Sequence, residues 1–216
     1  MLLPALILVS AIVAIAASLL GPSYSVVLFV FKPLTTLLVI AYAWPRGAGV
    51  PRQQRLVRIG LVLSLAGDVF LLWPKEGFLP GLVSFLLAHL AYIAAFCVPV
   101  RLAARPLVFV GYGVVAALIL SQLWSGVPGA LRGPVLGYVV CLATMAAQAA
   151  VWWRSAIGAG DERLARCAAI GGLLFMVSDS LLAINKFALP LPFSSLWILA
   201  TYWAAQWAIA SSLRAR

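Results

Sequence analysis

Residues 79–98 read LPGLVSFLLAHLAYIAAFCV, an apolar run that contains no Asp, Glu, Lys or Arg. An α-helix needs roughly 20 such residues to cross the hydrocarbon core of a bilayer. Turn signals bound the run on both sides, Trp73-Pro74 before it and Pro99 after it. The segment therefore predicts a transmembrane helix, with a single histidine, His89, near its middle.

Seven further apolar segments of spanning length surround this one, at 2–20, 25–44, 56–73, 107–124, 131–153, 165–184 and 194–213. Of the 216 residues, 65% are hydrophobic and 9% are charged. Soluble domains carry roughly 25% charged residues, and the connections here are too short to form a separate domain. The sequence predicts an all-α polytopic membrane bundle of about eight transmembrane helices, formed by residues 1–216 as a single transmembrane domain.

The placement of the basic residues predicts how the bundle is oriented. Of the 15 Lys and Arg residues, three lie at one end of the segments: Lys75, Arg132 and Lys186. One more, Lys32, lies within the second segment. The others lie at the opposite end: Arg46, Arg52, Arg55, Arg58, Arg101, Arg105, Arg154, Arg163, Arg166, Arg214 and Arg216. Because cytoplasmic loops carry the excess of Lys and Arg, we expect both termini in the cytoplasm and an even number of spans.

The same pattern accounts for the net charge of +10, so the expected partner is membrane lipid and no nucleic acid. Cys97, Cys141 and Cys167 lie in apolar runs without CxxC or metal-ligand spacing, and we expect them as small core residues. One histidine and scattered cysteines do not supply three zinc ligands. We therefore expect no metal and no cofactor, while the oligomeric state is not set by the sequence.

Two acidic residues lie where hydrocarbon should surround them. Three of the 5 acidic residues, Glu76, Asp161 and Glu162, fall in connections, which leaves Asp68 and Asp179 inside apolar segments. An Asp at the centre of a transmembrane helix costs roughly 2.5–3.5 kcal/mol. Such side chains face the bundle interior and mark functional sites, so both aspartates are candidate site residues.

Other polar side chains share helical faces with these aspartates or lie on other segments. The candidates are Lys32, Ser64, His89, Tyr92, Tyr138, Asn185, Lys186, Tyr202 and Gln206. Plainer interpretations exist: a lysine at a helix end can snorkel to the interface, and a tyrosine or glutamine can simply join two helices. Asp68 lies about five residues, or roughly 7–8 Å, from the outer end of its segment. We therefore expect a polar pocket in the outer half of the membrane, open to the non-cytoplasmic side.

An internal similarity relates the third and seventh segments. Residues 65–72, LAGDVFLL, resemble residues 176–183, MVSDSLLA, and both segments should run outward. A duplicated unit of four helices would produce this similarity. Chance resemblance between Leu-rich helices would produce it too, so the sequence leaves a 4+4 internal repeat open.

Three motifs together resemble one known family. They are SLAGDVFLL at 64–72, the pattern F-x-x-G-x-x-x-F-x-x-x-H-x-x-Y over 78–92, and GLLFMVSDSLLAINKF at 172–187. With Lys32-Pro33 and the Tyr202/Gln206 pair, they are similar to the lysoplasmalogenase (YhhN-like) family over nearly the whole chain. The resemblance implies a hydrolase that cleaves the vinyl ether bond of a lysoplasmalogen, a lysophospholipid, to a fatty aldehyde and glycerophosphoethanolamine or glycerophosphocholine. We expect the inner membrane in a bacterium or the endoplasmic reticulum in a eukaryote.

Vinyl ether hydrolysis begins with protonation of the alkenyl carbon, after which water attacks the oxocarbenium ion. The site needs an acid that holds its proton and a negative group beside the developing cation, and two carboxylates in unequal surroundings can divide these roles. We expect one of Asp68 and Asp179 to be the general acid and the other to be held ionised by Lys32 or Lys186. His89 completes the catalytic set, and the remaining polar candidates bind the substrate. Which aspartate is the acid stays open.

Two other classes of protein would use the same residues. A proton-coupled transporter of a small molecule or lipid also carries buried Asp, Lys and His. However, no corresponding pair of segments is broken by Gly or Pro at the midplane, which is the usual sequence pointer to a transporter site. A lipid-binding protein without catalysis would bind lysolipid and leave it intact.

Overall fold

The computed structural model describes residues 2–73 and 75–215, and within these residues the chain is entirely helical. The helices are α1 (Leu2–Leu20), α2 (Ser25–Ala43), α3 (Pro51–Phe70), α4 (Phe78–Phe96), α5 (Pro106–Leu123), α6 (Gly129–Ala156), α7 (Glu162–Phe187) and α8 (Ser194–Ser211). Short 3-10 helices cover Pro22–Tyr24 and Trp124–Gly126. The all-α prediction is confirmed. Pro74 of the predicted turn and Arg216 of the basic set lie outside the described residues.

The largest difference from the predicted segments is at the start of α3. This helix begins at Pro51, five positions before the apolar run that predicted it, and its first turns are polar. Proline suits the first turn of a helix because its missing N–H group would have no partner there. Hydrophobicity identifies only the part of a helix that lipid can surround. A polar extension of the same helix is therefore not predicted from it.

Among the described residues, six helices are long and apolar enough to cross a membrane: α1, α2 with the preceding 3-10 turn, α4, α5 with the following 3-10 turn, α6 and α7. The helices α3 and α8 are not among them. Arg52, Arg55 and Arg58 occupy the first turns of α3, and Tyr202 and Gln206 lie within α8. The chain is thus an integral multi-pass membrane protein, while eight spans and cytoplasmic termini stay predictions.

Most consecutive helices pack closely, with the exception of α4 and α5, and further contacts close the bundle. The main neighbours are α1 with α2, α3 with α4, α6 with α7 and α7 with α8, and α8 also packs against α1 and α2. Helix α4 packs against α6, whereas α5 lies at the periphery and packs chiefly against α6. Only Ala116 and Leu123 of α5 are buried. One side of the bundle is therefore formed by a loosely held helix.

Two glycines allow α3 and α4 to approach each other. A Cβ atom on Gly60 would lie 2.3 Å from the ring of Tyr92, and one on Gly67 would lie 2.5 Å from the ring of Phe85. Both aromatic side chains of α4 therefore rest directly on the backbone of α3. This packing places α4 beside Asp68, which directly follows Gly67.

Candidate active site

Asp68 lies at the end of a chain of hydrogen bonds that joins four helices. Its Oδ2 atom accepts hydrogen bonds from Thr36 Oγ1 at 2.6 Å and from the Tyr202 hydroxyl at 2.7 Å. Gln206 Nε2 donates to the Tyr202 hydroxyl at 3.2 Å, and Tyr92 donates to Gln206 Oε1 at 2.8 Å. These five residues form the Asp68 network. Asp68 is 2% exposed, and protein groups satisfy its Oδ2 atom.

Lys32 and Ser64 border the Asp68 network. Lys32 is buried on α2 near Asp68, but the two do not form a direct ion pair within the described residues. The buried hydroxyl of Ser64 lies beside that of Tyr92 but lacks the geometry of a hydrogen bond. Trp203 Nε1 donates to Thr36 Oγ1 at 3.2 Å. Thr36 is thereby held with its own hydroxyl directed at Asp68.

A smaller group, the Asp179 network, comprises His89 on α4, Tyr138 on α6 and Asp179 on α7. The Tyr138 hydroxyl donates to Asp179 Oδ2. His89 Nε2 lies 3.1 Å from the Tyr138 hydroxyl and 3.7 Å from Asp179 Oδ2. His89 is fully buried, whereas 12% of the Asp179 side chain is exposed. Tyr138 thus bridges the histidine and the carboxylate.

Two phenylalanines separate the networks. The ring of Phe175 lies 4.7 Å from that of His89 and 5.5 Å from that of Tyr202, measured between centroids. Phe85 packs against the same tyrosine at 5.8 Å. The two networks are therefore neighbours across an aromatic wall, and Phe175 contacts both.

The two aspartates within the apolar segments differ in what they face. An apolar cavity lies between α4, α5, α6 and α7, and Tyr138 and Asp179 are on its wall. Its other lining residues are mostly aliphatic or aromatic and include Phe85, Leu120, Leu142 and Met176. Asp68 does not line this cavity. The mostly apolar lining is suited to an alkyl chain, and Asp179 and Tyr138 are polar groups on its wall.

Lys186 lines the same cavity near the end of α7. Its Nζ atom lies 4.1 Å from the centroid of the Phe78 ring and 5.9 Å from that of Phe187. Such placement over a ring face is typical of a cation–π contact. The neighbouring Asn185 accepts a hydrogen bond from the backbone of Leu191 at 2.9 Å. Asn185 therefore fixes the connection between α7 and α8.

The structure brings the predicted site residues into two groups and leaves two of them apart. Asp179 and Tyr138 lie on the cavity wall, and the buried His89 lies beside Tyr138. Behind the cavity lie Asp68, Tyr92, Tyr202 and Gln206, with Lys32 and Ser64 alongside. Lys186 and Asn185 contact neither network. The candidate set lacks Thr36 and the two phenylalanines of the wall. Thr36 lies four positions after Lys32, and therefore on the same helical face, which is the signal that could have added it.

Among the described residues, no group of three or more His, Cys, Asp and Glu side chains could hold a metal ion. The site is instead built from carboxylates, hydroxyls, amides and one imidazole. These features define a class: a polytopic helical membrane protein with paired polar networks, one of which opens to an apolar cavity.

A model described as the YhhN family matches residues 27–213, and the chain belongs to that family. It is 35% identical over 161 residues to lysoplasmalogenase TMEM86A of Bos taurus, which covers 71% of this chain and 63% of that protein. It is 34% identical over 179 residues to lysoplasmalogenase TMEM86B of Homo sapiens, which covers 81% of this chain and 70% of that protein.

A bacterial relative is the membrane protein YhhN of Escherichia coli O157:H7, which is 34% identical over 119 residues, or 54% of each chain. The chain spans less than two thirds of the length of the TMEM86A relatives that it matches. No solved structure matches it.

Proposed function

We propose that this chain is a lysoplasmalogenase-like hydrolase that cleaves a vinyl ether bond within the cavity between α4 and α7. The observation that carries the proposal is that Asp179 lines an apolar cavity, whereas Asp68 does not. The names of the TMEM86 relatives support the same reaction. A single alkenyl chain would lie along the apolar wall with its ether group at the aspartate.

Asp179 is the general acid in this mechanism. Its protonated carboxyl transfers the proton to the alkenyl carbon, the double bond supplies the electron pair, and the ether oxygen stabilises the resulting oxocarbenium ion. The carboxylate then accepts a proton from the attacking water, which forms a hemiacetal. The carboxyl group then gives its proton to the glycerol oxygen as the bond from that oxygen to the hemiacetal carbon breaks, and it takes up the proton of the hemiacetal hydroxyl, which releases an aldehyde and an alcohol. One carboxyl group thus acts first as acid and then as base.

Tyr138 and His89 hold the carboxyl group in position. The tyrosine donates to Oδ2, and Oδ1 has no hydrogen-bond partner among the described residues. Oδ1 is therefore the atom from which the proton is transferred. The histidine, 3.1 Å from the tyrosine hydroxyl, orients that hydroxyl and stabilises charge on the carboxylate.

Asp68 has a positioning role in this proposal, because it does not line the cavity. It fixes Tyr202, and the Tyr202 ring packs on Phe175, which in turn packs on His89. Lys32, buried on α2, is the basic residue near Asp68. A rigid layer behind the reacting groups is what keeps them in productive geometry.

Lys186 is proposed to bind the phosphate of the lysolipid. It lines the cavity and is exposed, so its ammonium group can leave the Phe78 ring for an anion. It follows Asp179 by seven positions, which is roughly 10 Å along the helix axis. This separation suits a headgroup at the interface with its ether group slightly deeper in the membrane.

Aldehyde release from lysoplasmalogen by the purified full chain tests the proposal. We expect Asp179→Asn to lower the turnover number by about 10²–10⁴, the usual contribution of general acid–base catalysis. Glu162→Gln is the matched control, because it changes a carboxylate to a carboxamide at the other end of α7. Unchanged release by Asp179→Asn would contradict the mechanism. Lysolipid that the wild-type protein binds or moves without aldehyde release would indicate a binding protein or a transporter.

A further inference from the structure

Another pocket lies at the opposite end of α4 from the cavity, among the arginine-rich connections. Gln53 contributes to it from the first turns of α3, Asp161 and Leu164 from the start of α7, and Trp152 and Arg214 complete its polar and aromatic surface. We refer to these lining residues as the Gln53 pocket. None of them lines the cavity that holds Asp179.

Gln53 has an unmet hydrogen-bonding requirement in this pocket. Its side chain is 6% exposed, and its Nε2 atom has no hydrogen-bond partner within the described residues. Buried polar groups in native proteins are almost always paired, so an unpaired one needs an explanation. A bound ligand with an acceptor oxygen at this position would supply the partner.

The pocket includes a basic residue, Arg214, whose backbone is held in place and whose side chain is exposed. The backbone N–H of Gly47 donates to the carbonyl oxygen of Arg214 at 2.8 Å, and the adjacent Leu213 is buried. These contacts hold the backbone of Arg214 beside the start of α3. The first N–H groups of a helix lack intrahelical partners and carry partial positive charge, which favours anions. Arg214, Gln53 and the starts of α3 and α7 are together suited to a phosphate.

A carboxylate is present in the same pocket. Asp161 Oδ2 accepts a hydrogen bond from Trp152 Nε1 at 3.1 Å. A simple phosphate would be repelled by this group, whereas a ligand with an ammonium group next to its phosphate would be attracted by it. The lining therefore matches a zwitterion more closely than an anion.

We propose that the Gln53 pocket binds a phosphoethanolamine headgroup. The phosphate is bound by Arg214, the Gln53 amide and the start of α3, and the ammonium group donates to Asp161. A choline headgroup has no N–H to donate, so it binds more weakly. A phosphatidylethanolamine of the membrane and soluble glycerophosphoethanolamine share this chemistry, and the experiment separates them.

The position of the pocket gives its occupant a structural consequence. Asp68 lies on α3 and Asp179 on α7, and both helices begin at the pocket. A bound headgroup would connect the first turns of the two helices that carry the aspartates. This inference does not depend on the proposed hydrolysis, because its test measures binding alone.

Thermal unfolding of the detergent-solubilised full chain is measured while short-chain phosphatidylethanolamine, phosphatidylcholine, phosphatidylglycerol or free glycerophosphoethanolamine is titrated. A ligand that binds only the folded state raises the unfolding midpoint. We expect phosphatidylethanolamine to bind about tenfold or more tightly than the other two lipids. Binding of glycerophosphoethanolamine with similar affinity would identify a soluble ligand, and its failure to bind would identify the membrane lipid.

Variants of the lining distinguish this site from general lipid binding. We expect Arg214→Gln and Asp161→Asn each to weaken binding about tenfold or more. Arg52→Gln removes a neighbouring arginine that does not line the pocket, and it should leave the affinity unchanged. Gln53→Leu should raise the midpoint without lipid, because it removes an unpaired buried amide, and should also abolish the response to phosphatidylethanolamine.

The inference is overturned if phosphatidylethanolamine does not bind, or if the three lipids bind with equal affinity. Retention of full affinity by Arg214→Gln, Asp161→Asn and Gln53→Leu would overturn it as well. Asp179→Asn should bind the headgroup as the wild type does, since its substitution lies in the other site. A loss of hydrolysis in that variant is thus distinguishable from a loss of this binding.

Discussion

At the scale of single residues, Tyr138 connects the histidine and the aspartate at the cavity wall. Tyr138→Phe removes the donor to Asp179 Oδ2 and the contact to His89 while keeping the ring. We expect the turnover number for aldehyde release to fall about tenfold or more, since a hydrogen bond to a charged group contributes about 1.5–3 kcal/mol. The Michaelis constant should change little because the apolar lining is unaltered.

Tyr112→Phe is the control for this measurement. Tyr112 lies on α5, is partly exposed, and its hydroxyl makes no hydrogen bond among those of the described residues. Its substitution should leave both kinetic constants unchanged. Equal activity of Tyr138→Phe and Tyr112→Phe would show that the bridging hydroxyl does not contribute to catalysis.

Thr36 gives a prediction about stability. Thr36→Val keeps the shape of the side chain and removes its donor to Asp68, which stays buried. We expect the free energy of unfolding to fall by about 1 kcal/mol or more. Thr36→Ser retains the hydroxyl and should recover most of this loss. The measurement is unfolding in mixed detergent, and equal stability of the Val and Ser variants would contradict the proposed role of the hydroxyl.

The sequence predicted several of the buried polar residues but not how they pair. Asp68 and Asp179 stand out because hydrocarbon makes a lone carboxylate costly. Their partners Thr36 and Tyr138 lie 32 and 41 positions away, a separation that only helix packing can bridge. The aromatic wall was also beyond prediction, because Phe175 looks like any other apolar residue of its segment. A shared site was therefore expected where the structure has two adjoining networks.

At the scale of helices, close packing of α3 and α4 depends on glycine. A Cβ at Gly60 would lie 2.3 Å from the Tyr92 ring, and that ring has no room to move because it is fully buried. We expect Gly60→Ala to destabilise the protein by about 1–3 kcal/mol, the cost of overpacking. The substitution should also disturb the hydrogen bond that the Tyr92 hydroxyl donates to Gln206.

Gly113→Ala on α5 is the matched control, because no atom lies within 4 Å of the Cβ that it adds. Alanine favours a helix over glycine by about 0.8–1.0 kcal/mol, so this variant should be neutral or slightly stabilised. The unfolding midpoints of the two variants should move in opposite directions. A similar loss in both would mean that helix propensity, and not the contact with Tyr92, sets the effect.

The helices themselves were predicted well because membrane-spanning runs are long and apolar. The predicted limits of α1 match the structure, and those of α2, α4, α5 and α8 differ by at most two residues. The polar first turns of α3 and the extra turns of α6 and α7 were not found, since they lie outside the hydrocarbon-compatible part of each helix. Burial, packing partners and the cavity are properties of the assembled bundle, which one segment does not encode.

At the scale of the whole molecule, the two aspartates have corresponding surroundings. Asp68 on α3 accepts hydrogen bonds from side chains of α2 and α8. Asp179 on α7 accepts a hydrogen bond from a side chain of α6 and lies near the histidine of α4. If the first four helices are exchanged with the last four, α2 corresponds to α6, α3 to α7 and α8 to α4. Thr36 then corresponds to Tyr138, and Tyr202 corresponds to His89. We propose that the fold is a 4+4 repeat. Superposition of the halves in an experimental structure should place the aspartates at equivalent turns, and a mismatch of a full turn would contradict the repeat.

The proposed orientation can be tested on α3 and α8, the two helices that are not among the six candidate spans of the described residues. We propose eight spans with both termini in the cytoplasm, which requires that each of these helices crosses the membrane. Cysteines at Ala48 and Glu76 flank α3, and cysteines at Pro192 and Ala215 flank α8; all four positions are exposed. Single variants are made in a background in which Cys97, Cys141 and Cys167 are replaced by serine.

An impermeant thiol reagent applied to sealed cells should label Glu76→Cys and Pro192→Cys but should reach Ala48→Cys and Ala215→Cys only after permeabilisation. The arginine-rich connections before α3 and after α8 lie on the cytoplasmic side in this arrangement. Ser125→Cys and Ala159→Cys flank α6, which is long and apolar enough to span, and they calibrate the outer and inner signals. Labelling of both flanks of α3 or of α8 from one side would show that the helix does not cross. The position of the Asp68 network relative to the membrane would then differ from the one proposed, since α3 and α8 carry three of its five residues.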